Sequence, residues 1–461
     1  MEAIPLREIA DLTTVLDGLA GNPALGDDLA LRLLGDWGTA SEIAWRESPG
    51  PSEALCEGFL ARGRAEELAQ ARTLPPTVTA LLAAHTDPAV RTALAKNPAL
   101  SAELAGAMAA DQDGRVRKAV AERTEAPPED ALRMLLTDPD PEVRAAACRH
   151  RPPGDLHGPL LADPATRRHV VPFLDLDPDT AADLAADPDE EVREALAAHP
   201  ALSAALRDEL ARDADPFVRG AVFQRADTPE KLRDEIHAWL TAGAQRAGDD
   251  WSSGTVADTL CHLALIGVDE GSYPWVVADP LPHVDSPCVG LRRAAARSGA
   301  LPPEVRARML ADEDASVRFL ALTRLPDVDL AVAEDIDRRH RVRTKSGKGS
   351  AGRPADCVDF PPETLRRFAT DPDARMRVLA LRDSELPAEL LERLGADEDP
   401  EVRRAAAAHP RLPPAALVRL LADPIDSVAG QAAASPALPE PVMRALLDHA
   451  EASGWPSPEW T

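Results

Sequence analysis

Residues 397–421 read DEDPEVRRAAAAHPRLPPAALVRLL, and this stretch holds one whole structural unit. The acids Asp397, Glu398 and Asp399 stand where negative charge favours a helix N-terminus. The Val-Arg-Ala run behind them predicts a short helix. It ends at His409, because a residue before proline avoids the α region. Pro413 and Pro414 then open a second helix, since proline is tolerated in a first turn. Leu417, Leu420 and Leu421 give that second helix an apolar stripe at helical spacing. Neither segment exceeds about three turns, so the leucines find cover only against neighbouring copies.

Such copies recur along the chain: DPDPEVRAAACRHRPP from Asp138, DPDEEVREALAAHPAL from Asp187, DEDASVRFLALTRLPD from Asp312 and DPDARMRVLALRDSEL from Asp371. With the arginine as marker, Arg91, Arg117, Arg144, Arg168, Arg193 and Arg219 follow one another at 24 to 27 residues, and Arg292, Arg318, Arg377 and Arg403 resume the series. A fixed period in this range predicts a solenoid. The expected fold is all-α, about fifteen repeats of 24–27 residues, each an α-helix plus a short α or 3-10 helix. Residues 1–86 are expected to form degenerate N-terminal capping repeats and 87–240 regular ones. Residues 241–287 lack the phrase and hold an irregular, aromatic-containing unit. Residues 288–448 carry C-terminal repeats with a basic loop insertion at about 335–358, and 449–461 form a tail.

The pattern DPxxxVRxxxAxxPxLPxxLLxxL resembles the leucine-rich repeat variant family and, more loosely, HEAT-like helical repeats. The resemblance covers 87–240 and 285–448 well. It implies a right-handed superhelix alternating α-helices with short helical segments, and no particular activity. A founding member of that family has an N-terminal cysteine cluster holding an iron–sulfur centre. Only Cys56 lies in the first 147 residues here, so that cofactor is not carried over and none is expected.

Composition narrows the function classes. Lys and Arg total 51 against 78 Asp and Glu, a net charge of −27, which argues against wrapping nucleic acid or an anionic membrane surface. No apolar run reaches the ~20 residues a membrane helix needs. The first twenty residues mix acids into every apolar run and read as no secretory signal. Five scattered cysteines (Cys56, Cys148, Cys261, Cys288, Cys357) suit a reducing cytoplasm rather than a disulfide framework.

Three columns cross the repeats. Four residues before the marker arginine stands an aspartate, giving the pairs Asp87/Arg91, Asp113/Arg117, Asp140/Arg144, Asp189/Arg193, Asp215/Arg219, Asp314/Arg318, Asp373/Arg377 and Asp399/Arg403. This i, i+4 spacing predicts a structural ladder of charge-assisted pairs. In the last repeat both members vanish together, to Ile425 and Ala429, as expected of an end unit with no following neighbour. A second column closes the first helix with Asn97, Arg123, His150, His199, Arg225, Ser298, Arg324, Asp383, His409 and Ser435, which predicts polar side chains bonding loop carbonyls rather than a metal. A third column places Arg308, Arg367, Arg393, Arg419 and Arg444 on second helices, expected to line a concave face. Residues 291–461 carry a net charge of −3 against −24 for residues 1–290, so this basic stripe suits an acidic partner.

Where the repeat breaks, specificity is expected. Trp251, Tyr273 and Trp275 are candidate contact anchors in a chain with 3% aromatics. Cys261, His262, His283 and Cys288 match no strong zinc spacing, so no metal is assigned. The insertion's Arg338, Arg339, Arg341, Arg343, Lys345 and Lys348 form a basic surface for an acidic partner. No HExxH, GxSxG, GxGxxG or kinase signature set occurs, so no catalytic residue is expected. The expected function is therefore a non-catalytic protein-interaction scaffold or adaptor, meeting an acidic patch through its C-terminal half or a basic patch through its N-terminal half. The alternatives are an acidic inhibitor or immunity-type protein blocking a basic partner and, with less support, a HEAT-like DNA-binding or glycosylase-type protein.

Overall fold

The structure, a computed structural model, describes residues 9, 11–46, 50–247, 255–325, 329–339 and 353–456. Among these, every element is a helix, as the repeat predicts. The unit read from Asp397 forms Pro400–Ala407 and Pro414–Leu420, and its counterparts include Pro88–Lys96 with Ala102–Met108 and Glu190–Ala197 with Ala204–Leu210. These helices run seven to nine residues, so tertiary burial must hold them. That burial is near complete at Leu94, Leu196, Val402, Leu417 and Leu421. First helices stack on the first helices of adjacent repeats, while second helices pack mainly on the first helix of the repeat that follows.

The chain forms two compact units: residues up to Ala147 together with those from Phe360 onward, and residues Cys148–Asp359. In the first, the chain's two ends meet. Helix Leu12–Ala20 packs on Asp426–Ala434, the first helix of the last repeat. A Cβ on Gly18 would lie 2.1 Å from the Gly430 carbonyl oxygen, so only glycine permits this approach. The buried Asn22 amide donates to the carbonyls of Ala433 (2.9 Å) and Ser435 (2.7 Å). Asn97 repeats that geometry on Ala69 and Ala71. The last repeat therefore has a following neighbour, and it is the first. The opening repeat is no solvated cap either, for Val15, Leu16 and Leu19 are fully buried.

The arginine ladder exists with a different partner. The aspartate four residues before each arginine is a helix N-cap: Asp87, Asp113, Asp189, Asp215, Asp314, Asp373 and Asp399 accept from the backbone N–H two residues on. The arginine reaches instead across to the next repeat, to the aspartate that opens its turn. The pairs are Arg91–Asp111, Arg117–Asp138, Arg377–Asp397 and Arg403–Asp423 in the first unit, and Arg193–Asp213 and Arg292–Asp312 in the second. Each is bidentate, with Nε and Nη2 at 2.6–3.2 Å from the two carboxylate oxygens. In the rung near residue 168 the bond to Asp187 comes from Arg167, not Arg168. Asp423 survives in the last repeat because it still receives Arg403.

Several members of the closing column bond loop carbonyls, whereas the Asp383 carboxylate accepts from Arg366 and the Ser435 hydroxyl has no hydrogen-bond partner among the described residues. Arg123 donates to the carbonyls of Ala95 and Asn97, Arg225 to those of Ala197 and His199, and His409 Nε2 lies 3.2 Å from the Asp383 carbonyl. Each ties its repeat to the one before.

The ladder stops where the period breaks. Arg219 has no aspartate twenty residues on. Trp239 stands there, and the guanidinium stacks 3.7 Å from its ring centroid. The irregular region begins earlier than 241, with an 18-residue helix Glu230–Ala247 paired to Val256–Glu270. At the second break, Arg318 Nε is buried without a hydrogen-bond partner among the described residues. The insertion starts within helix Leu330–Arg339 and is fastened at its far end by Arg353, whose Nη2 lies 2.6 Å from the fully buried Asp337.

Candidate binding cleft

First helices turn one face to the core, and parts of their opposite faces are exposed. In the second unit this surface sinks into a cleft of about 670 Å³. Its floor is made of small residues from three successive first-layer helices: Ala195 and Ala198, Gly220 and Ala221, Ala264 and Gly267. Arg168, His169, Glu191, Glu194, Phe217, Gln224, Arg225 and Ser272 surround it. Small side chains here lower the floor, and flanking polar ones raise the walls.

The wall charges differ in engagement. Arg168 pairs with Glu191, and Arg225 is bound to Asp227 at 2.8 Å and to two backbone carbonyls. Glu194, half-buried, has no ion pair among the described residues. Burial and, secondarily, Asp215 raise its pKa. Burial and then Arg168 lower that of His169, favouring the neutral ring. A second concavity of about 360 Å³ in the first unit uses the same face, lined by Ala89, Thr92, Ala93 and Lys96 with Glu66, Gln70 and Arg115.

Relative to the marker arginine, the lining positions are −2, +1, +2 and +5, as in Ala89, Thr92, Ala93 and Lys96 or Phe217, Gly220, Ala221 and Gln224. The sequence carried a signal: alanine recurs at +2 in Ala93, Ala146, Ala195, Ala221 and Ala405. Nothing in the period says which helix face is solvated, so the column went unread.

The candidates read from sequence fall elsewhere. Arg308, Arg367, Arg393, Arg419 and Arg444 are exposed, on second helices, and line neither concavity. Arg308 lies 3.2 Å from Asp285, Arg367 is over Phe368, and Arg444 bonds Asp28 and Glu440. Tyr273 is fully buried, its hydroxyl donating to the Val268 carbonyl, so it fills a gap in the core and cannot anchor a partner. Trp275 is half-buried against Arg233, Tyr273 and His283, with Nε1 on the Gln224 carbonyl. Arg338 and Arg339 pair with Glu334 and Asp335 on their own helix. Trp251, Arg341, Arg343, Lys345 and Lys348 lie outside the described residues.

Residues 400–425 match the family model described as leucine rich repeat variant. No curated protein matches the chain in sequence. Among solved structures, an engineered protein is similar at 15% identity, covering 96% of this chain and 98% of that one, with a TM-score of 0.16 that carries no argument. The leucine-rich-repeat-variant resemblance thus rests on a whole repeat phrase, and the helical repeat fold agrees with it. No helix among the described residues is long and apolar enough to cross a membrane.

Proposed function

We propose that this chain of leucine-rich-repeat-variant-type units is a non-catalytic, cytoplasmic protein-interaction scaffold that receives a segment of another protein in the cleft of its second unit. The observation that carries this is the cleft itself: a floor of six small residues with Glu194 unpaired beside it. A shallow floor between polar walls suits a helix or extended segment laid across successive repeats. Glu194 favours a segment presenting a lysine or arginine, in line with the strong acid excess of residues 1–290. The exposed face of the first helices replaces the C-terminal arginine column as the principal contact surface in this reading.

Gly267 provides the test. It sits mid-helix with no atom within 4 Å of where a Cβ would stand, so a large side chain there fills the cleft without disturbing the scaffold. Partners captured by the full chain should be lost on Gly267→Trp and weakened on Glu194→Gln, with retained helicity in both. Undiminished capture by Gly267→Trp would refute the cleft as the binding site.

A further inference from the structure

Behind the cleft, the irregular region brings three metal-binding side chains together from three separate elements. His237 lies on helix Glu230–Ala247, Asp269 in the last turn of Val256–Glu270, and Cys288 at the N-cap of Val289–Arg297. One ligand atom from each lies within 4.8 Å of the others. Cys288 Sγ is 3.8 Å from Asp269 Oδ1. Bonds of ~2.3 Å to sulfur and ~2.0 Å to oxygen in tetrahedral geometry set that edge at about 3.5 Å, so only a small contraction is needed.

Two features favour a built site over chance. Cys288 occupies the N-cap column, four residues before Arg292, where the regular repeats carry aspartate, yet it makes no capping bond. A thiol there sacrifices a cap and gains a soft ligand. Gly290 holds Asp269 in place, since its missing Cβ would meet the Val268 carbonyl oxygen at 2.4 Å and the Asp269 backbone at 3.0 Å. Arg293 bonds the Asp269 carbonyl at 3.2 Å while its charge is taken up by Asp314. These contacts fix the backbone that carries the carboxylate, as outer-shell partners do around a metal ligand.

We propose that His237, Asp269 and Cys288 bind one zinc-class divalent ion. Imidazole, carboxylate and thiolate together suit zinc better than calcium or magnesium, which prefer all-oxygen sets. His237 and Cys288 also line a cavity of about 150 Å³, together with His283, Asp285 and Ser286, so a fourth position faces space able to hold a water or another donor. The Cys261, His262, His283 and Cys288 combination does not assemble among the described residues: Cys261 lies against Gly243, and His283 is stacked on Trp275. The ion would pin the inserted hairpin to the helix where the regular repeats resume. Nothing in this depends on the cleft's partner.

The test uses the untagged full chain, stripped with chelator and titrated with Co²⁺ and then Zn²⁺. Wild type and Cys357→Ser, which alters the exposed cysteine, should each bind one Co²⁺ with thiolate-to-cobalt absorption, displaced by Zn²⁺. Cys288→Ser should abolish that absorption. Asp269→Asn, which keeps the side chain's shape, should lower affinity at least as much as loss of an outer-shell partner, ~10-fold or more. Far-ultraviolet circular dichroism before titration checks that both variants fold. Absorption that is absent in folded wild type, or unchanged in folded Cys288→Ser and Asp269→Asn, overturns the proposal.

Discussion

The choice of ladder partner makes the sharpest prediction. Arg377 lies near two aspartates: Asp373, four residues earlier on its own repeat, and Asp397 on the next. Only Asp397 receives the guanidinium, at 2.7 and 2.8 Å, with both side chains 9% exposed. Arg377→Ala leaves that carboxylate with the Asp399 N–H alone. Breaking a buried pair from one side costs about 3–5 kcal/mol, and the retained bond puts this case at about 3. Asp397→Asn should cost about 2 kcal/mol, and the coupling in a double-mutant cycle should be about 2 kcal/mol. Asp373→Ala removes a helix cap worth about 1 kcal/mol, and its coupling to Arg377 should stay below about 0.5 kcal/mol. Urea unfolding of the three single and two double variants, with unchanged slope, measures both cycles. Repeat arrays open locally, so amide exchange in Pro400–Ala407 gives an independent reading. Coupling larger for Asp373 than for Asp397 would refute the inter-repeat ladder.

Closure of the first unit predicts that Asn22→Ala costs about 1–3 kcal/mol, because the buried Ala433 carbonyl is left without a donor and the Ser435 carbonyl keeps only the Leu438 N–H. Gly18→Ala should cost about 1–3 kcal/mol by prising its helix from Gly430. In both variants amide exchange should speed up together in Leu12–Ala20 and Asp426–Ala434, and change confined to one helix would count against closure. Asp17 predicts a pH effect of opposite sign to the ladder. Its burial, with Asp36, Glu42 and Asp11 nearby, pushes its pKa up to about 6, so ionisation destabilises the fold above that value and stability returns as pH falls from about 6 to about 4. Two units amount to ~3 kcal/mol, reduced to about 1 by solvent screening, so Asp17→Asn should stabilise by about 1 kcal/mol at pH 7 and by nothing at pH 4. The ladder carboxylates behave inversely. At Asp397 burial alone would raise the pKa, but the Arg377 bond and the Asp399 N–H outweigh it and lower it, so that rung's stability is kept above about pH 4 and lost below it. Trp239→Ala should cost about 1–2 kcal/mol by uncovering Arg219, with no comparable loss once Arg219 is already alanine.

The period, the helix boundaries and the polar closing column were all legible in the sequence. They follow from local chemistry: proline ends and starts helices, aspartate caps them, and leucine at helical spacing seeks cover. A 24- to 27-residue repeat of such signals allows little but stacked helices. What the sequence could not show was which of two aspartates, one four residues before each ladder arginine and one about twenty residues after it, lies within reach. That depends on the rise from one repeat to the next, a property of packing. The meeting of Asn22 with Ser435 is likewise invisible, because residues 413 apart in sequence share no local signal of their contact. The same holds for the clustering of His237, Asp269 and Cys288, separated by 32 and 19 residues and joined only where an inserted hairpin folds back. Sequence set the units and their caps; the geometry of stacking set who touches whom.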